Sequence, residues 1–214
     1  IAPLVTEGNA VVKDAQTKLA ARRIEVDVQR QKAKVEEARQ TAAPLNKPPI
    51  PADRLDEAEA SINQIRAALE AGKALTERDK DYKFYAGEVQ LRVDELATKL
   101  AARRIEVAVS AQKAKVEDAR KVAAGLNKPP IPGDRMDEAE ASINQIRAAL
   151  EAGKALTEQD KDYKYYAGEV ELRATELSTR LAARRIEVAV HNQKAKVEDA
   201  RKIAAEFNKP DIPA

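Results

Sequence analysis

The residues best suited to chemistry here are aromatic rings set beside lysines. Tyr82-Lys83-Phe84-Tyr85 recurs as Tyr163-Lys164-Tyr165-Tyr166, and apart from Phe207 these two runs hold every aromatic side chain. Rings next to cations stack on sugars or anchor a protein partner. The same rings can also plug the end of a helical bundle. At helical spacing Tyr82 and Tyr85 share one stripe, and position 84 points outward. Tyr165 in place of Phe84 keeps a ring and adds a hydroxyl, which a partly exposed position tolerates. Tyr82, Lys83, Phe84, Tyr85, Tyr163, Lys164, Tyr165 and Tyr166 are therefore the candidate ligand-binding residues.

Other candidates reduce to surface chemistry. The sole histidine, His191, is replaced by Ser110 at the matching position of a sister segment, which fits a solvent-facing residue and no catalytic or metal role. Carboxylate pairs such as Asp56/Glu57 and Glu117/Asp118 lie among Lys and Arg at helical spacing, as solvated ion pairs do. No HExxH, GxSxG, phosphate-cradling Gly loop or EF-hand spacing is present. Cysteine is absent, so thiol and disulfide chemistry are excluded. The expectation is a non-enzyme without metal or cofactor.

Charge excludes a further class. Charged residues make up 35% of the 214, yet the net charge is only +2. A dedicated nucleic-acid binder would carry a lopsided basic field. The pairs Arg22/Arg23, Arg103/Arg104 and Arg184/Arg185 are each followed by Glu25, Glu106 or Glu187, which points to Arg stems covering a junction between bundles. No apolar run approaches the ~20 residues of a membrane span.

The elements that must carry these residues are set by internal repetition. Lys18–Thr98 and Lys99–Thr179 match at 66 of 81 positions, and Arg180–Ala214 begins a third copy. Two breaks punctuate each copy. One is Asn46-Lys47-Pro48-Pro49-Ile50-Pro51, matched by Asn127–Pro132 and altered at Asn208–Pro213; consecutive prolines favour an extended path. The other is Gly72, which suits a left-handed helix C′ position, with Thr76 as an N-cap and Asp79 in the first turn.

Between the breaks the pattern is helical. A short helix starting near Asp53 carries Leu55, Ala58, Ile62, Ile65 and Leu69 on one stripe. The stretch from Thr76 to Ala124 carries two series, Tyr82 to Leu100 and Ile105 to Ala123. The step from Leu100 to Ile105 is five residues, a rotation of about 140° on a helix. One continuous helix then presents different faces to successive cores, or a kink near Arg103 does part of that work. Helices of ~20 residues are marginal alone. The predicted fold is all-α: tandem three-helix bundles joined by long shared helices, over 1–100 and 101–181, with 182–214 starting a third repeat. The first bundle uses Asn9–Ala43, Arg54–Ala71 and Glu77–Leu100. The stripe of Ile186, Val190, Val197 and Ile203 is left for a following helix, a partner chain or the tail to cover.

The order Pro-Pro, short helix, Gly break, Tyr85-Ala86-Gly87-Glu88 and Val93-Asp94-Glu95-Leu96 resembles the kinked three-helix-bundle domains of S-type pyocins, colicin-like bacteriocins of Pseudomonas. The second copy has Tyr166-Ala167-Gly168-Glu169 and Thr175-Glu176-Leu177. The resemblance covers about one repeat, twice over. It implies a targeting module, released and acting at the surface of a target bacterium. Its partner would be a lipopolysaccharide sugar chain or an outer-membrane transporter. Two copies of a weak sugar site would grip a repetitive polysaccharide more firmly than one. The competing expectation is a passive stalk of a surface adhesin, since fifty helical residues span about 75 Å.

Overall fold

A computed structural model describes residues 2–46, 49–126 and 130–207. The chain is all-α, with no strand among the described residues. In order come α1 (Ala2–Ala42), α2 (Leu55–Ala71), the one-turn α3 (Lys73–Thr76), α4 (Lys80–Ala124), α5 (Met136–Ala152), the one-turn α6 (Leu156–Gln159) and α7 (Lys161–Phe207). Short 3-10 turns cover Ala43–Asn46, Ala52–Arg54 and Gly133–Arg135. Two compact units result, Ile1–Val107 and Ala108–Ala214.

In unit 1 the core joins three helices. Val35 and Ala42 come from α1, Ala58, Ile62, Ile65 and Leu69 from α2, and Val89, Val93, Leu96 and Leu100 from α4. Leu45 and Ile50 close one end. These are the positions that the +3/+4 spacing selects. Packing starts later along α1 than the sequence predicts: residues 7–23 are exposed, and Ile24 is the first to be half-buried. The polar core members are Ser61, which the spacing does not select, and Gln31 of α1, counterpart of the Gln112 that the spacing places on the stripe; Gln31 Nε2 donates to the Ala68 carbonyl. That carbonyl belongs to the last turn of α2, where helix acceptors lack partners of their own.

Unit 2 repeats the scheme. Val116 and Ala123 of α4, Ala139, Ile143 and Ile146 of α5, and Val170, Ala174, Leu177 and Leu181 of α7 form its core. Gln112 Nε2 donates to Ala149 O, as Gln31 does to Ala68. Beyond Leu181, α7 continues with its apolar positions bare: Ile186, Val190, Val197 and Ile203 are all exposed.

Several local expectations are corrected. Gly72 is not left-handed; its φ is −93° and its ψ 0°, and Gly153 matches at −96° and 2°. A close approach demands glycine there instead. A Cβ on Gly72 would lie 1.9 Å from the Tyr82 hydroxyl, and one on Gly153 2.0 Å from that of Tyr163. Thr76 caps nothing, its hydroxyl donating back to Lys73 O. Asp79 is the cap, accepting from Tyr82 N at 2.7 Å, and Asp160 does the same for Tyr163 N at 2.6 Å. Asp53 makes no capping bond; it sits in the 3-10 turn that precedes α2. Pro51 and Pro132 are extended, at φ −58°, ψ 141° and φ −59°, ψ 140°. Residues 47–48 and 127–129 of the Pro-Pro loops and all of 208–213 lie outside the described residues.

Candidate functional site

The eight ring-and-lysine residues separate into three environments, because a helix turns each successive side chain by 100°. Tyr82 and Tyr163 are fully buried beneath Gly72 and Gly153. No ring face remains for a ligand, so these two leave the candidate site and belong to the core. Tyr85 and Tyr166 are half-buried. Each tilts against its buried neighbour, with ring centroids 6.2 Å apart for Tyr82–Tyr85 and 6.1 Å for Tyr163–Tyr166. Lys32 Nζ lies 5.3 Å from the Tyr85 ring centre, and Lys113 Nζ lies 5.3 Å from that of Tyr166. These cation–π pairs occupy the rings internally.

Tyr166 is held further by its hydroxyl, which donates to Glu117 Oε1 at 2.7 Å. Burial, reinforced by that bonded carboxylate, pushes the Tyr166 phenol up to about 12. The same bond, with help from Arg120, holds the Glu117 carboxyl below its usual range. Burial, followed by the Glu36 charge, likewise raises the Tyr85 phenol. Tyr166 is thus held through both ring and hydroxyl, and Tyr85 through its ring, its hydroxyl being buried with no hydrogen-bond partner among the described residues.

Lys83, Phe84, Lys164 and Tyr165 face solvent. Phe84 is 70% exposed and Tyr165 72%, as the spacing predicts for position 84. Beside each ring, one leucine was missed in the sequence: Leu91 is 63% exposed and Leu172 62%. The signal was available, since positions 84 and 91 lie two helical turns apart on one face. Between them sits Gly87, and in the second copy Gly168. A Cβ at either would meet nothing within 4 Å. No packing contact requires glycine there, although glycine in a helix interior costs about 1 kcal/mol against alanine. Ring, bare backbone and leucine thus form an outward strip, flanked in unit 2 by Lys161, Lys164 and Glu169, which line a shallow depression with Tyr165 and Leu172.

The remaining candidates are structural. Arg103 Nε donates to Ile50 O at 3.0 Å, and Arg184 Nε to Ile131 O at 3.1 Å. Each ties down the carbonyl that follows its Pro-Pro pair. Arg104 bridges Asp56 and Glu59, at 2.9 and 2.8 Å; Arg185 bridges Asp137 and Glu140, at 3.1 and 2.7 Å. These arginines bond within their own units. His191 is exposed. Among the described residues no cluster of three or more His, Cys, Asp or Glu is placed to hold a metal ion. Among the described residues no helix is long and apolar enough to cross a membrane.

The copies differ in one cleft. In unit 1 the groove beside Val89, Val93 and Ile65 has a volume of about 190 Å³, and its counterpart beside Val170, Ala174 and Ile146 about 410 Å³. Alanine in place of valine at 174 removes two methyl groups from the cleft floor. Comparison with protein-family models, with curated proteins and with solved structures returns no match to this chain.

Proposed function

We propose that this chain is a non-catalytic targeting module in which tandem three-helix bundles, sharing their long helices, display the ring–glycine–leucine strip to a bacterial surface polysaccharide. The observation that carries this is the strip itself. Phe84, Gly87 and Leu91 recur 81 residues on as Tyr165, Gly168 and Leu172, with both rings exposed. An exposed apolar ring gains nothing from folding. A helix glycine without a packing partner costs stability. Together they favour a ligand that stacks on the ring and approaches the backbone closely. Lys83 and Lys164 add cations suited to acidic or phosphorylated sugars. The chain would act as part of a colicin-like bacteriocin, released and attached at a target cell through lipopolysaccharide sugar chains; an outer-membrane transporter is the other partner this reading admits.

The experiment is direct binding to purified lipopolysaccharide. Tyr165→Ala and Lys164→Ala should each weaken it, while Tyr166→Phe, altering a ring fastened inside the bundle, should not. A second reading, a passive spacer, draws on α4, whose 45 residues extend about 68 Å. Absence of binding, or binding indifferent to Tyr165→Ala, favours the spacer.

A further inference from the structure

The repeat supplies its own control for a bare surface. One stripe occurs three times: Val28, Gln31, Val35, Ala42 and Leu45; then Val109, Gln112, Val116, Ala123 and Leu126; then Val190, Gln193, Val197, Ala204 and Phe207. In the first two copies every member is buried, none more than 7% exposed. In the third all five are exposed, with Val190 at 47%, Val197 at 45% and Phe207 at 86%. Ile203, which the sequence placed on this stripe, is not part of it: its counterpart Val122 is exposed even where the stripe is covered.

What covers the stripe is the same in both filled copies. A short amphipathic helix lays its leucine, isoleucines and alanine on it, and the first half of the next long helix completes the core. Polar fittings accompany them. The stripe glutamine donates to a carbonyl of the short helix's last turn, at Ala68 or Ala149. The next residue, Lys32 or Lys113, sits over a tyrosine ring. In unit 2 Glu117 accepts from that tyrosine. The third copy retains Gln193, Lys194 and Glu198 at the same three positions, all exposed.

We propose that the face of α7 from Val190 to Phe207 is a docking site for one occupant: a helix–glycine–helix hairpin with this repeat's own chemistry, that of residues 136–181. The match is specific beyond hydrophobicity. The face offers an amide donor for a helix-end carbonyl, a cation for a tyrosine ring and a carboxylate for its hydroxyl, in the order that the hairpin satisfies them in unit 2. The proposal is independent of the ring strip, which lies on the first half of the long helices.

The test extends the full chain by a second copy of residues 134–181 placed after Ala214, and reads amide hydrogen exchange. Exchange over residues 190–207 should slow about tenfold or more relative to the unextended chain. Val197→Asp should abolish that protection in the extended chain and leave exchange in residues 108–181 unchanged, since Val197 lies outside the unit 2 core. Unslowed exchange over 190–207 on extension overturns the proposal, as does protection that survives Val197→Asp. Concentration-dependent protection of 190–207 in the unextended chain would identify a second copy as the occupant and overturn it equally.

Discussion

At the scale of single residues, Gly72 and Gly153 are fixed by a neighbour and not by backbone conformation. Their φ values near −95° suit any residue, but the tyrosine hydroxyls occupy the space of a Cβ. Gly72→Ala should therefore destabilise unit 1 by about 1–3 kcal/mol in urea unfolding, the range for overpacking a filled site. The Tyr82 hydroxyl is buried without a hydrogen-bond partner among the described residues. Adding Tyr82→Phe should then recover part of the loss, and a purely additive pair would show the contact to be irrelevant. Tyr166 supplies a pH dependence of definite sign. Its phenol is raised from 10.0 to about 12 in the folded chain, so the stability it lends is full below pH 10 and is lost as pH rises through 12. Tyr82, Tyr85 and Tyr163 are shifted the same way and add to the decline. Denaturant midpoints measured from pH 8 to 12 should fall across that window, and the fall should be shallower in Tyr166→Phe.

At the scale of elements, α4 and α7 each carry a glycine that their own packing does not need. Gly168→Ala should raise the stability of unit 2 by about 0.5–1 kcal/mol, because it removes a helix-interior glycine with nothing near the new methyl group. If the strip is a binding face, the same substitution should weaken lipopolysaccharide binding while it stabilises the fold. Thermal melts and binding on one protein would read both. Stabilisation with undiminished binding would remove Gly168 from the site. The ends of these helices were only partly legible beforehand. Asp79 and Thr76 are both good capping types, and which one caps depends on where the α3 turn closes.

At the scale of the whole molecule, two units of near-identical sequence present the strip twice. If both bind one repetitive polymer, linkage makes the second engagement effectively intramolecular. Phe84→Ala and Tyr165→Ala should then each cost much of the apparent affinity, and the double variant should reduce binding to background. Surface-plasmon binding to immobilised lipopolysaccharide would measure this. Equal affinity for one-strip and two-strip proteins would mean that a single copy does the binding. Neither ring should alter the melting temperature appreciably, since substitutions at such exposed positions stay within about 0.5 kcal/mol.

The sequence by itself determined the helical class, the 81-residue period, the core stripes from Tyr82 to Leu100 and Leu55 to Leu69, and the outward direction of position 84. The 81-residue period follows from the near-identity of the copies, and the rest from the 3.6-residue period, which is local to each helix. Only the tertiary structure decided which lysine sits over which ring, that Gln31 and Gln112 cap a neighbouring helix, and that a tyrosine hydroxyl and not a turn requires Gly72. Such pairings depend on contacts between residues tens of positions apart. A periodicity shows which face of a helix is apolar, but not what that face meets.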